Sequence, residues 1–477
     1  MKFRWSATFS FVFLLGGIAC GDELEQVLVA KPISYMENSI VGCSDRTDCE
    51  VTKPIGCYSC RNWLLNKPLK KDPFSAFGWL DVGGSYRARY HRETNMRPGA
   101  NGGLSGLDDS FWLHQTRLWF DGRLNSRLNF HVGFIDAASV GEDFPSRARE
   151  VNRHDLYQAH VNTVLYEGAG TLTARVGRQE ILYGSARLMM APNWANRRRT
   201  HDGVRLIWES DNWEINPFWI RPAFRDRAHF RSFDNPNPNQ QLYGIFSTYK
   251  GFENNKLDLY CLAFDLLTSA GGARYDTLGS RYYGGRGAWV YEFEGGVQLG
   301  ENPDDTSHVA GFFTGGIGRK FASSMWEPEL WCFYDWASGD NTSGNGFHTY
   351  VQRAHYYLGF MDLFGRRNIE DINIRLTTNP TKKLTLLAWC HFFSLANGND
   401  VPYNLNMRPY AGLTSGSAGS QTLGTELDLV ATYDVSEQTQ MRFGYSHFWS
   451  GSFYNTTPGV PTNLDANFLY SHFVYRF

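Results

Sequence analysis

The stretch Leu469-Tyr-Ser-His-Phe-Val-Tyr-Arg-Phe477 decides the fold. Side chains alternate between two faces along an extended strand. Leu469, Phe473, Tyr475 and Phe477 therefore share one side, with Ser471 in the remaining place, while Tyr470, His472 and Arg476 fall on the other. A soluble protein gains little from ending on a two-faced aromatic strand, because termini fray. A transmembrane β-barrel needs one to close against its first strand and remove both sheet edges.

The composition permits this reading. Only 42% of residues are hydrophobic, and after the amino terminus no apolar run approaches the roughly 18 residues of a membrane helix. Barrels escape that requirement because every second strand residue faces lipid. Aromatic residues at 16% suit interfacial girdles, and 48 glycines suit tight turns and crowded strands. The formal net charge of -2 excludes nothing, since the placement of charge is what matters.

Strand-like runs recur from Phe77 onward, about every 20 residues with their connections included. In Leu128-Asn-Phe-His-Val-Gly-Phe134 the residues Leu128, Phe130, Val132 and Phe134 alternate with Asn129, His131 and Gly133. Leu172, Ala174 and Val176 alternate with Thr173, Arg175 and Gly177. Leu427, Leu429, Ala431 and Tyr433 alternate with Glu426, Asp428 and Thr432. Short turns occur near Asn125-Ser-Arg127, Glu209-Ser-Asp-Asn212, Asn379-Pro-Thr-Lys-Lys383 and Asp434-Val-Ser-Glu437. Long polar or glycine-rich connections occur near 91–110, 136–154, 221–240, 265–285, 394–423 and 450–466. Short periplasmic turns and long external loops are the barrel asymmetry. The expected fold is an all-β, antiparallel transmembrane barrel of about 16–18 strands by that period, in the cell outer membrane.

Residues 1–20 read as a signal peptide, with Lys2 and Arg4 ahead of the apolar run Phe9 to Ile18. Gly17-Ile-Ala-Cys20 leaves open whether Cys20 carries lipid. Residues 21–74 lack strand alternation and read as a periplasmic or plug segment, leaving 75–477 for the barrel. Cys43, Cys49, Cys57 and Cys60 cluster in the first of these, and an oxidising compartment favours disulfides there over a zinc knuckle. Cys261, Cys332 and Cys390 stand alone in strand-like runs as small apolar residues.

From Arg175 to Arg231 the chain holds eleven arginines (175, 178, 187, 197, 198, 199, 205, 221, 225, 227 and 231) against six carboxylates. No lysine occurs between Lys71 and Lys250. Arginine stays charged, and its planar fork binds carboxylates through two parallel hydrogen bonds. Lining a pore, such residues select a carboxylated or phosphorylated solute. Loop solvation and contact with lipopolysaccharide phosphates are the alternative uses of Arg197-Arg-Arg199. Arg175 and Arg205 are best placed for the lumen, because their neighbours Ala174, Val176, Val204 and Leu206 are expected to face lipid.

Several motifs carry a family resemblance. They are Val176-Gly-Arg-Gln-Glu180, Tyr183-Gly-x-x-Arg187, Trp194-Ala-Asn196 and Arg199-Thr-His-Asp-Gly-Val-Arg205. Further on come His355-Tyr-Tyr-Leu-Gly-Phe-Met-Asp-Leu-Phe-Gly365, Pro380-Thr-Lys-Lys-Leu-Thr385, Gly424-Thr-Glu-Leu-Asp428 and Gly444-Tyr-Ser-His-Phe448. In order and spacing the chain resembles the alginate-export family of outer-membrane barrels. That resemblance implies eighteen strands and an electropositive lumen passing a uronic-acid polymer, with no cofactor, no metal and no covalent chemistry. By motif match it implies that Arg178, Gln179, Arg187, Arg199, Asp202 and Arg205 line or order the pore, beside Arg175. The expected partners are an anionic polysaccharide or small anions, outer-membrane lipid and periplasmic secretion proteins, and not nucleic acid. A general anion porin for sugar acids or phosphate is the competing reading.

Other constellations carry less. Ser446-His447 with Asp428 or Glu426 invites a hydrolase reading, but adjacent strand residues point to opposite faces. Asp108-Asp109, Asp304-Asp305 and Gly339-Asp-Asn-Thr-Ser-Gly344 lack EF-hand spacing and read as solvated loops. Gly315-Gly-Ile-Gly318 has no following helix to bind phosphate. Trp79, Trp112, Trp119, Trp208, Trp213, Trp219, Trp389 and Trp449 suit interfacial girdles, or in part a sugar-stacking track.

Overall fold

A computed structural model of the chain describes residues 78–97, 103–147, 149–189, 191, 193–224, 233–268, 271–350, 354–410 and 412–477. The signal peptide, the cysteine cluster with its periplasmic or plug segment, and Arg225, Arg227 and Arg231 lie outside the described residues.

The described chain folds into antiparallel strands β1 (Leu80–Arg97), β2 (Leu107–Arg123), β3 (Leu128–Val140), β4 (Asn152–Glu167), β5 (Thr171–Gln179) and β6 (His201–Glu209). Next come β7 (Trp213–Phe224), β8 (Gln240–Tyr249), β9 (Asn255–Thr268), β10 (Gly271–Arg286), β11 (Trp289–Glu301) and β12 (Ser307–Lys320). The last six are β13 (Glu329–Ala337), β14 (Ile369–Thr381), β15 (Leu384–Ser394), β16 (Thr422–Asp434), β17 (Thr439–Ser450) and β18 (Ala466–Arg476). Each pairs with its sequence neighbours, and β18 pairs with β1 from Ser85↔Arg476 to Thr94↔Asn467. The result is a closed 18-stranded barrel. A two-residue pairing of Asn235–Pro236 with the end of β7 lies outside that sheet.

Closure leaves no open edge, which is what lipid demands of a spanning sheet. The last bonds of the seam join Gly84 and Phe477 in both directions, at 2.9 and 3.0 Å. Along β18, Leu469, Tyr475 and Phe477 are exposed outward and Tyr470 is buried inward, as alternation requires. On β1 the inward series is Ser85, Arg87, Arg89, His91, Glu93 and Asn95, all buried. Outward positions across the barrel are apolar and exposed: Leu118, Phe134, Val161, Val176, Val204, Ile245, Leu278, Val297, Ile317, Ile374 and Phe443. Cys261 and Cys332 are free and exposed among these positions, and Cys390 is free and half-buried.

Two sequence expectations change. Residues 265–285 are not a long connection, because β9 and β10 pair without a break from Asn255↔Gly284 to Thr268↔Gly271. Their glycines look loop-like but make room in the sheet. A Cβ on Gly279 would sit 2.4 Å from the ring of Tyr260 on the neighbouring strand. The tryptophans also divide. Trp79, Trp112, Trp219 and Trp449 are exposed, as girdle residues should be, whereas Trp119 and Trp389 are buried. The Trp389 indole donates to Asn373 Oδ1 at 2.7 Å on the inner face.

Candidate functional site: the lumen and its inward loops

The inner wall has two halves of opposite charge. Arg87 and Arg89 of β1, Arg117 of β2, Arg175 of β5, Arg205 of β6, Arg442 of β17 and His472 of β18 make the basic half. Glu292 and Glu294 of β11, Asp335 of β13, Asp371 of β14, and Glu426 and Asp428 of β16 make the acidic half. Each half carries exceptions: Arg375 of β14 lies over the rings of Trp331, Phe333 and Trp389, and others are paired locally. Glu93 on β1 binds Arg147 at 2.5 Å, and Arg281 on β10 binds Glu292 at 2.8 Å.

Among the described residues, two connections carry the contacts that cross the lumen, and a third, residues 395–421, packs on the second of them. The first, residues 180–200 between β5 and β6, enters through a turn with positive φ at Gly184 and Ala186. A loop inside a barrel must find partners for its backbone groups, and the basic wall supplies them. Arg87 donates to the carbonyls of Asn193 at 2.6 Å and Ala195 at 3.1 Å, and Arg89 donates to that of Trp194 at 2.8 Å. Gln115 donates to the Asn196 carbonyl. The Asn196 amide lies 2.8–3.1 Å from the carbonyls of His114, Ala138 and Glu150. An Arg198–Glu180 ion pair ties the neck of this loop.

The tip of the loop reaches the opposite wall. Arg187 is wholly buried, with Glu292 and Glu294 as ion-pair partners, the latter at 2.9 Å, and Asp335 at 3.9 Å. Its guanidinium lies 4.1 Å from the ring centre of Tyr357, which belongs to the second inward connection, residues 338–368. The Tyr357 hydroxyl donates to the Ser185 carbonyl at 2.5 Å, so the two loops meet across the lumen. Arg366 secures the second loop to Asp335 at 2.7 Å. Burial holds the His355 imidazole of this loop down to about 4, against the opposing pull of Asp362, so the ring is neutral near pH 7.

The residues singled out from sequence occupy three kinds of place. Arg175 and Arg205 are register partners on the inner face. Two guanidiniums so placed repel each other. Polar relays offset this: Arg175 donates to Asn162 at 2.5 Å, and Arg205 donates to Asn216 at 3.1 Å, which itself donates to Glu214. Arg178 and Asp202 share the parity of outward Val176 and Val204, so they fall on the other strand face from Arg175 and Arg205. There they form a two-pronged bridge of 2.7 and 2.9 Å, which Arg178 extends to the Asp234 carbonyl. Gln179 is wholly buried and donates to the Gly177 carbonyl at 3.3 Å where the first loop departs. Arg187 anchors that loop, and Arg199 is half-buried where it returns to β6.

Sequence reasoning missed Arg87, Arg89 and Arg117. Their signal was present: Arg87, Arg89 and His91 repeat with period two between Tyr86 and Tyr90. It stood outside the arginine-dense tract. The remaining constellations are structural. Ser446 donates inward to Asp428 at 2.5 Å, while His447 bonds Asn467 at 2.8 Å and packs on exposed Trp449. Asp304 and Asp340 accept hydrogen bonds from Thr306 and Thr342 within their own loops. Among the described residues no group of three or more His, Cys, Asp or Glu side chains is arranged to hold a metal ion.

The sequence profile of the alginate-export family matches residues 78–465, nearly the whole barrel. The chain belongs to the alginate-export family. It is therefore an outer-membrane channel and not an enzyme. Among solved structures it is similar to OccD3 (OpdP) of Pseudomonas aeruginosa, at 14% identity over 83% of this chain and 91% of that one, with a TM-score of 0.59. The outer membrane protein OprD of Pseudomonas aeruginosa matches at 12% identity over 83% and 94%, with a TM-score of 0.55. OccAB2 of Acinetobacter baumannii matches at 12% over 83% and 98%, with a TM-score of 0.54. At such identities these three share the barrel fold with this alginate-export protein. No curated protein matches it in sequence.

Proposed function

We propose that this alginate-export barrel passes an anionic polysaccharide of the uronic-acid type along the basic half of its lumen. The observation that carries the reading is the run of inward guanidiniums from Arg442 through Arg87, Arg89 and Arg117 to Arg175 and Arg205. Guanidinium forks recognise carboxylates in pairs. A facing acidic wall weakens net attraction, so that a polyanion leaves as readily as it enters. In this reading the half-buried Arg117 and Arg175 meet the solute, and Arg205, buried beside Tyr183, adds its charge from behind them. Gln179, Arg187 and Arg199 shape the loop that narrows its path, and the Arg178–Asp202 bridge orders the strand end from which that loop leaves.

A second reading, a porin for small sugar acids or phosphate, is favoured by the narrowing that the two inward loops impose. The readings differ in how block depends on chain length. In single-channel recordings, uronate oligomers of increasing length are expected to block a polymer conduit for progressively longer times. Block that is independent of chain length would favour the small-solute porin.

A further inference from the structure

The two inward loops are held very differently. Residues 180–200 are tied through the side chains and carbonyls of β1, β2, β3 and β11, on both sides of the lumen. The middle of the second loop, residues 354–364, meets the first loop through Tyr357 and accepts from the Tyr410 hydroxyl at the Leu363 carbonyl, and it places two successive backbone N–H groups on β16. Met361 donates to Glu426 Oε1 at 2.8 Å and Phe360 to Asp428 Oδ2 at 3.2 Å. The turn that aims them has positive φ at Gly359 and at Asp362. A Cβ on Gly359 would lie 2.5 Å from the Glu426 carboxylate, so the seat admits only glycine there.

That seat is finely balanced. Phe360, Met361, Leu363 and Phe364 bury apolar surface when the segment is in place, which favours closure. The same position desolvates Glu426 and Asp428, two fully buried carboxylates one alternation step apart on one strand face. Buried like charges are costly, and the strap's N–H groups, together with Ser446 and His391 beside Asp428, compensate only in part. Withdrawal of the segment would expose apolar surface but rehydrate both carboxylates. Opposing terms of this kind give a two-state element.

The basic wall touches the same segment. His355 stacks on Trp194 with ring centres 3.8 Å apart and planes 12° from parallel. The Arg89 guanidinium lies 3.7 Å from the same indole centre. Two groups that close cannot share a face, so Trp194 is sandwiched between Arg89 and His355.

We propose that residues 354–364 are a gating strap that closes the lumen when seated on Glu426 and Asp428. Seating completes the stack of buried Arg89, Trp194 and His355, so withdrawal of the strap uncovers this part of the basic wall to an anionic solute. This inference rests on the reading of the lumen as an anion conduit, and deepens it by assigning the element that opens it.

The full chain in planar bilayers tests the gate through KCl conductance. Gly359→Val should unseat the strap, and so should replacement of residues 355–363 by a short glycine–serine bridge. Conductance several-fold above that of the unmodified chain is expected for both. Glu426→Gln with Asp428→Asn keeps acceptors but removes the desolvated charges, so it should lengthen closed times. Gel mobility of unheated samples identifies folded barrels, and the carboxamide pair decides the matter if the other variants fail to fold. Folded variants with unchanged conductance and closed times would overturn the gate. Cation selectivity of an opened channel would instead overturn the conduit reading and leave the gate standing.

Discussion

Arg187→Ala is expected to destabilise the folded barrel by about 3–5 kcal/mol, the usual cost of removing one partner from a buried ion pair. Arg187 has no solvent exposure, so no screening discount applies. Its carboxylates are not equally dependent on it. Glu292 retains Arg281 at 2.8 Å, whereas Glu294 is left with only the hydroxyls of Ser185 and Tyr260 at 2.5 and 3.3 Å. The loss should therefore concentrate on Glu294 and fall toward the lower end of that range. Denaturant titration of the barrel in lipid vesicles measures it. Combining Arg187→Met with Glu294→Gln should recover much of the stability, because Glu292 keeps Arg281 and the carboxylate most dependent on Arg187 is neutral. A single variant as stable as the unmodified chain would show that the first inward loop is not anchored through this residue.

Charge reversal at Arg117 and Arg175 is expected to lower the anion-to-cation permeability ratio by at least about tenfold, or ~1.4 kcal/mol. Both residues are half-buried on the inner wall, where Arg117 donates to Ser85 at 3.1 Å and Arg175 to Asn162 at 2.5 Å. A unit charge ~6 Å from a passing ion is worth about 0.7 kcal/mol even at the dielectric constant of water. Reversing two of them therefore exceeds the tenfold mark before screening, and salt screening brings it back toward that value. Arg175→Glu also gains Arg205 as a cross-strand partner, so folding should be little affected. Reversal potentials across a salt gradient provide the readout. An unchanged ratio would remove these two side chains from the ion path.

The barrel was legible because its physics repeats. Alternation in the stretch ending at Phe477 and in Leu128 to Phe134 records which side meets lipid, and the same period orients Arg175 and Arg205 inward. Motif matching grouped Arg178 and Asp202 with them, although strict alternation places both on the Val176 side. Position within a strand was the better guide there.

The inward loops were not legible, for a physical reason. Polar and glycine-rich composition marks a connection but not its direction. Residues 180–200 turn inward because Arg187 meets Glu292 and Glu294 more than a hundred positions away, and because Asn196 meets carbonyls on β2 and β3. The segment containing His355 and Phe360 likewise depends on Glu426 and Asp428. Glycine misled once more in 265–285, where small residues accommodate the Tyr260 ring within a continuous hairpin.

The central claim is that the basic half of the lumen governs what passes. Its most direct test is the reversal potential of the full chain in a planar bilayer under a steep KCl gradient, with the strap replaced to give an open channel. The account predicts a potential close to that of chloride, shifting toward that of potassium when Arg117 and Arg175 are reversed. A potential near that of potassium in the channel with its arginines intact would contradict it.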